Sequence, residues 1–112
     1  QDAQRAVTLV RSRQTELGID PKRIGMLGFS AGGHLTACTA LFKKRMYDPV
    51  DKADEAFGHE PNFAVLVYPA YLVDKGGGLK PEFAVTKDSP PMFFAHSTDD
   101  NVTSENSVEL YR

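Results

Sequence analysis

The stretch Gly28-Phe29-Ser30-Ala31-Gly32-Gly33 constrains this chain more than any other. It stands between a short apolar run and a run of small residues suited to a helix, so the backbone must turn from strand to helix within one residue. Ser30, at the apex, is then held in a strained conformation, and the residues two before and two after it are brought together. Very small side chains are expected at both places, and glycines stand there, Gly28 and Gly32, with Gly33 next in line. The turn aims the Ser30 hydroxyl away from the sheet at the head of the helix, where free N–H groups and the helix dipole favour negative charge. The Ala31 N–H is the candidate donor to an oxyanion forming there.

The rest of the chain supplies the layers such a turn needs. Ala3, Ala6, Val7, Val10 and Leu17 recur at helical spacing, so residues 2–17 read as an amphipathic helix stopped by Gly18 and the Asp20-Pro21 turn. Arg23 to Phe29 reads as a strand buried on both faces, Ala31 to Phe42 as a buried central helix, and Phe63 to Tyr68 as the clearest strand, ended by Pro69. A short helical piece is expected around Val50 to Phe57. Residues 70–91, with Gly76-Gly77-Gly78 and Pro90-Pro91, read as an irregular excursion, flexible at the glycines. Met92 to His96 is a third buried strand, and Ser104 to Arg112 a helix capped by Thr103 or Ser104.

Helices alternating with buried strands predict an α/β fold with a parallel sheet. Ligands bind such sheets at the carboxyl ends of the strands, where Ser30, Tyr68 to Tyr71 and Asp99-Asp100 all fall.

Charge and cysteine content narrow the function. With 112 residues, a formal net charge of −2 and a pI near 5.9, the chain lacks the basic excess that nucleic acid or an anionic membrane would select. Lys43-Lys44-Arg45 reads as the solvated end of a helix. The single Cys38 excludes an internal disulfide framework and a multi-cysteine zinc site. No apolar run approaches the roughly 20 residues needed to span a bilayer. There is no signal peptide, but the chain opens at Gln1 without a methionine, which leaves an upstream segment open.

A serine hydroxyl needs a base, usually a histidine, itself oriented by a carboxylate. Asp100, four residues past His96, suits the acid best, with Asp99 as the rival; the alternative is that both belong to a solvated turn. None of the three histidines suits the base. His34 is one turn into the helix with its side chain pointing away, His59 precedes a strand at the opposite edge, and His96 reads as a brace for the Asp100 loop.

Gly28-Phe29-Ser30-Ala31-Gly32-Gly33-His34-Leu35, preceded by Gly18-Ile19-Asp20-Pro21-Lys22-Arg23-Ile24, resembles the α/β-hydrolases of the esterase and lipase type. The nearest likeness is to bacterial acetyl-xylan and feruloyl esterase-like proteins. Tyr68-Pro69, Pro90-Pro91, His96-Ser97-Thr98-Asp99-Asp100 and Glu105-Asn106-Ser107 extend it over nearly the whole chain. The resemblance implies a nucleophile elbow with Ser30 as nucleophile, Gly28, Gly32 and Gly33 as its glycines, the Ala31 N–H as one oxyanion donor and Asp100 as the triad acid.

It further implies a serine carboxylic-ester hydrolase acting on small acyl esters, such as acetyl groups on plant polysaccharide, in a periplasmic or secreted location, with no metal or organic cofactor. The second oxyanion donor is expected before Gln1 and the catalytic histidine after Arg112. The 112 residues are thus expected to be the central part of one larger doubly wound domain of about 250 to 300 residues, inactive alone. A prolyl-oligopeptidase-like peptidase and a non-catalytic hydrolase-like binding protein are the alternatives. The oligomeric state is left open.

Overall fold

The computed structural model describes all 112 residues. The first apolar periodicity forms two helices rather than one, α1 (Asp2–Ser12) and α2 (Gln14–Leu17), with Arg13 outside helical geometry between them and Gly18 closing α2 in the left-handed region at φ 63°. Next come β1 (Gly25–Phe29), α3 (Ala31–Leu41), α4 (Lys52–Ala56), β2 (Phe63–Val67), β3 (Met92–Ala95) and α5 (Glu105–Tyr111). The Asp51 carboxylate caps α4 by accepting from the Ala53 and Asp54 N–H groups. Ser104 precedes α5 without a capping bond; Thr103 Oγ1 accepts weakly from the Glu105 N–H at 3.4 Å instead.

The three strands are parallel, in the order β1-β2-β3. Their register pairs Phe29 with Val67 and Val67 with Ala95, so the segments that follow all three strands leave the sheet at one edge. Three parallel strands with flanking helices are the expected α/β arrangement. One feature differs: the strands are not buried on both faces. Ala37, Ala40 and Leu41 of α3, Leu72, Phe83 and Leu110 of α5 pack with Ala64 and Leu66 on one face of the sheet. On the other face Leu27, Phe29, Phe63 and Phe93 are exposed, Phe93 by 64%. An apolar strand sequence reports what its faces can cover, and within these residues every helix that touches the core cluster lies on the same side.

Residues 70–91 are not a slack loop. They carry Leu72 and Phe83, both wholly buried in the core. Their glycine turn is tied by the Asp74 carboxylate, which accepts from the Gly76 and Gly78 N–H groups, while the Asp74 N–H donates to the Gly78 carbonyl. Asn106 of α5, itself buried, holds the start of this excursion: its Oδ1 accepts from the Leu72 N–H at 2.8 Å and the Val73 N–H at 3.1 Å, and its Nδ2 donates to the Thr103 carbonyl.

The basic run also departs from expectation. α3 ends at Leu41, and Arg45 turns inward to donate to the Asp54 carboxylate, the Asp54 and Phe57 carbonyls and the Tyr47 hydroxyl. Asp54, with its side chain out of solvent, also faces Arg5 of α1 at 3.0 Å and accepts from the Tyr47 hydroxyl at 2.6 Å. Burial alone would push its carboxyl up, but the bonds from Tyr47, the Val50 N–H and Arg5 outweigh that and hold it at about 2.

Candidate active site

Ser30 sits between β1 and α3 with φ 52° and ψ −118°. Backbone bonds fix it there. Its N–H donates to the Val67 carbonyl, and its carbonyl accepts from the N–H groups of His34 and Ala70, each at 3.1 Å. Its hydroxyl does not cap α3. A serine at a helix start ordinarily spends its oxygen on the second or third N–H; here the reversed φ turns the hydroxyl from that task. Ala31, at the first position of α3, has an N–H that no carbonyl in the helix can accept.

The glycines divide the work unequally. A Cβ on Gly28 would lie 2.0 Å from the Gly32 carbonyl oxygen and 2.5 Å from Thr36 Oγ1, so β1 and the head of α3 can approach only over a bare Cα. A Cβ on Gly33 would meet the Cα and Cβ of Pro69 at 2.8 and 2.9 Å. A Cβ on Gly32 would meet nothing within 4 Å. The expectation that both flanking positions need glycine is therefore corrected. The close contact is between the Gly28 Cα and the Gly32 carbonyl, so it bars a side chain at the former and not at the latter.

Backbone strain is concentrated at this edge of the sheet. Three non-glycine residues have positive φ: Ser30, Tyr68 at 35° and Tyr71 at 63°. Each costs on the order of 1–3 kcal/mol and persists only where its surroundings enforce it. The Tyr68 N–H donates to the Ala95 carbonyl, and its ring packs against Phe29 with centroids 5.9 Å apart. The next two residues are held by Pro69 packing on Gly33 and by the bond from the Ala70 N–H to Ser30. Nothing in the sequence marked Tyr68 or Tyr71 as strained, because neither is a residue type that favours the left-handed region.

The third segment at this edge carries the two aspartates. Asp100 Oδ1 accepts from the Val102 N–H at 2.8 Å, and the Asp100 N–H donates to the Ser97 carbonyl. The Asp99 carboxylate instead accepts from the Ser97 hydroxyl, which holds it below the usual carboxylate range, and the residue is exposed.

Two of the histidines, His96 and His59, lie as the sequence reading placed them. His96 Nε2–H donates to the Val102 carbonyl and Nδ1 accepts from the Ser107 hydroxyl, both at 2.8 Å, so both ring nitrogens are spent bracing the Asp100 loop against α5. His59 is buried at the amino edge and donates from Nε2 to the Lys43 carbonyl. The His34 ring lies edge-on to Tyr71 and Phe83, with centroids 6.0 and 5.6 Å away, and its Nε2 is 3.7 Å from Cys38 Sγ. Burial and then the Lys80 charge push its pKa down, while burial pushes the Cys38 thiol up and so disfavours the reactive thiolate. None of the three rings is hydrogen-bonded to Ser30.

Two concavities lie elsewhere. One of about 210 Å³ opens between α1 and α3 beside Leu35, Cys38 and Phe42, and one of about 270 Å³ lies beside His96 and Tyr111. Neither includes Ser30, whose case rests on backbone geometry. No group of His, Cys, Asp and Glu is spaced to hold a metal ion. No helix is long and apolar enough to cross a membrane.

Comparison with known proteins gives this geometry a family. The BD-FAE family model matches residues 1–71. The chain is 28% identical over 74 residues to an acetylxylan esterase of Xylanibacter ruminicola, an alignment covering 66% of this chain and 13% of that protein. Among solved structures it is similar to an acetyl ester-xyloside bifunctional hydrolase from Caldicellulosiruptor lactoaceticus, with TM-score 0.82 and 33% identity over 98% of this chain and 48% of that one. It is also similar to Thermogutta terrifontis esterase 2, solved phosphoramylated by tabun, with TM-score 0.79 and 31% identity over 97% of this chain and 45% of that one. The chain thus spans about half of each solved relative and a smaller share of the acetylxylan esterase. With the serine turn, the parallel sheet and the esterase relatives in agreement, the chain belongs to the BD-FAE family and has the α/β-hydrolase fold of esterases.

Proposed function

We propose that the protein to which these residues belong is a serine carboxylic-ester hydrolase and that Gly28 to Gly33 form its nucleophile elbow. One observation carries the reading: Ser30 is held at φ 52° between β1 and α3 with its hydroxyl withheld from helix capping, over a cradle that Gly28 and Gly33 keep open.

In the proposed reaction the Ser30 oxygen attacks the ester carbonyl and loses its proton to a histidine. The oxyanion of the tetrahedral intermediate accepts from the Ala31 N–H. The carbon–oxygen bond to the alcohol breaks, the histidine protonates the departing alkoxide, and the acyl group remains on Ser30. Water, deprotonated by the same histidine, then releases the carboxylic acid and restores the serine. Asp100 orients the imidazole. Its Oδ1 is fixed by the Val102 N–H and its second oxygen is left to accept, whereas Asp99 is engaged by Ser97.

The base is assigned to a residue outside these 112. His96 is spent on both nitrogens, His59 lies at the far edge, and His34 is packed among Tyr71, Phe83 and Cys38. The chain accordingly forms the central part of a single hydrolase domain, with the second oxyanion donor also supplied from outside it. The acetylxylan esterase and the acetyl ester-xyloside hydrolase among the relatives support small acyl esters, acetyl groups on plant polysaccharide among them, as substrates.

The test is active-site labelling of the full-length protein with a fluorophosphonate, the counterpart of the phosphonylated adduct formed on esterase 2 by sarin. Labelling and p-nitrophenyl acetate hydrolysis should both vanish in Ser30→Ala. Labelling that survived would remove Ser30 from the role. Asp100→Asn should reduce kcat by at least about a hundredfold, and Asp99→Asn by far less; the reverse order would move the acid to Asp99. Turnover of peptide amides in preference to esters would favour a peptidase.

A further inference from the structure

We propose that Tyr71 is a stacking platform for the alcohol portion of the ester, recognising a flat ring with an apolar face, such as a pyranose, beside Ser30. The proposal rests on the reading of Ser30 as the nucleophile.

Within these residues Tyr71 carries two costs that packing does not explain. It holds φ 63° without being a glycine, and it leaves 63% of its surface in solvent. The other two strained residues have visible returns: Ser30 makes the strand-to-helix turn, and the Tyr68 ring packs on Phe29. The Tyr71 hydroxyl has no hydrogen-bond partner within the chain, and the ring's aromatic neighbour is His34, met edge-on at 6.0 Å.

The strain has a definite mechanical source. On one side the Ala70 N–H donates to the Ser30 carbonyl at 3.1 Å. On the other, the Leu72 N–H donates to the buried Asn106 Oδ1 at 2.8 Å, with the Leu72 side chain wholly buried in the core. Tyr71 is therefore clamped at both flanks and turned outward, one residue from a bond to the candidate nucleophile. A backbone already clamped at both flanks loses little freedom when a ligand covers the ring it carries. The C–H bonds on a sugar ring's apolar face and the face of an aryl group both suit such a π surface.

The experiment compares Tyr71→Gly, Tyr71→Phe and wild type in the full-length protein on three acetates: methyl 2-O-acetyl-β-xylopyranoside, phenyl acetate and ethyl acetate. Tyr71→Gly removes the ring and releases the strained φ, so it should not lower the melting temperature. It should lower kcat/KM about tenfold for a ring-bearing ester, through KM, and leave ethyl acetate unchanged. Tyr71→Phe should match wild type. A loss on the xyloside alone assigns a sugar, a loss on phenyl acetate alone an aryl group, and a loss on both a general ring platform. Equal losses on all three esters, or none, would overturn the proposal.

Saturation-transfer NMR on Ser30→Ala, with methyl β-xylopyranoside and phenol as probes, separates this inference from the reading beneath it. Transfer to at least one ring that Tyr71→Gly abolishes upholds the platform even if no ester is hydrolysed. Hydrolysis that proceeds with no Tyr71-dependent transfer upholds the nucleophile and removes the platform.

Discussion

The three glycines around Ser30 should respond very differently to a single methyl group. At Gly28 the added Cβ falls 2.0 Å from the Gly32 oxygen and 2.3 Å from the carbonyl carbon. Against an ordinary contact near 3.5 Å, the closer atom is about 1.5 Å too near. The obstructing atoms are helix backbone and cannot rotate away, so the first turn of α3 must lift off β1. We expect Gly28→Ala to cost at least the top of the range for overpacking, about 3 kcal/mol. At Gly33 the methyl meets Pro69 at 2.8 Å, a shortfall of about 0.7 Å, and the cost should be about 1–2 kcal/mol after the gain in helix propensity. At Gly32 nothing lies within 4 Å and φ is not positive, so Gly32→Ala should stabilise by up to about 1 kcal/mol. Urea unfolding of each variant of the full-length protein, followed by far-ultraviolet circular dichroism, reads these differences at constant m-value. If Gly32→Ala proved as damaging as Gly28→Ala, the account of which atoms make the turn tight would be wrong.

Two other perturbations probe the scaffold. Asn106→Leu strips the acceptor from the Leu72 and Val73 N–H groups and should lower unfolding free energy by about 2–4 kcal/mol in the same assay; a change under about 0.5 kcal/mol would mean that those N–H groups find other partners. Asp54 is held at about 2 in the folded protein against an unfolded value of 3.8, so its contribution is fully present above pH 4 and is lost as pH falls toward 2. Asp51, lowered chiefly by the bond from Arg5, acts in the same direction. Melting temperature against pH should therefore fall steeply from pH 4 to pH 2 in the wild type and less steeply in Asp54→Asn, and equal slopes would dismiss Asp54 as the titrating group.

Much of the fold was legible because its signals are local. The Gly18 stop, the apolar runs of β1, β2 and β3 and the small residues of α3 each declare an element by neighbours a few positions away. His96 was legible as a brace because it follows directly on β3 and precedes the Asp100 loop. The errors came from distance. Lys43 to Arg45 read as a solvated helix end, since nothing nearby announces that Asp54 and the carbonyl of Phe57 will draw Arg45 inward. Residues 70–91 read as flexible because their glycines are visible in sequence, whereas the hold of Asn106 on Leu72 spans 34 positions.

The sequence by itself determined the strand–serine–helix turn, the parallel α/β arrangement and the edge at which Ser30, Tyr71 and Asp100 emerge, because periodicity, chain length and turn chemistry act between near neighbours. Only the tertiary structure decided which glycines are indispensable, which sheet face is covered, and that Tyr71 is clamped into the left-handed region. Those depend on two segments meeting in space: Gly28 under the Gly32 carbonyl, α3 and α5 on one side of β2, and Ala70 and Leu72 anchored to Ser30 and Asn106. A residue's own chemistry sets what it can do in such a meeting, but not which partner it meets.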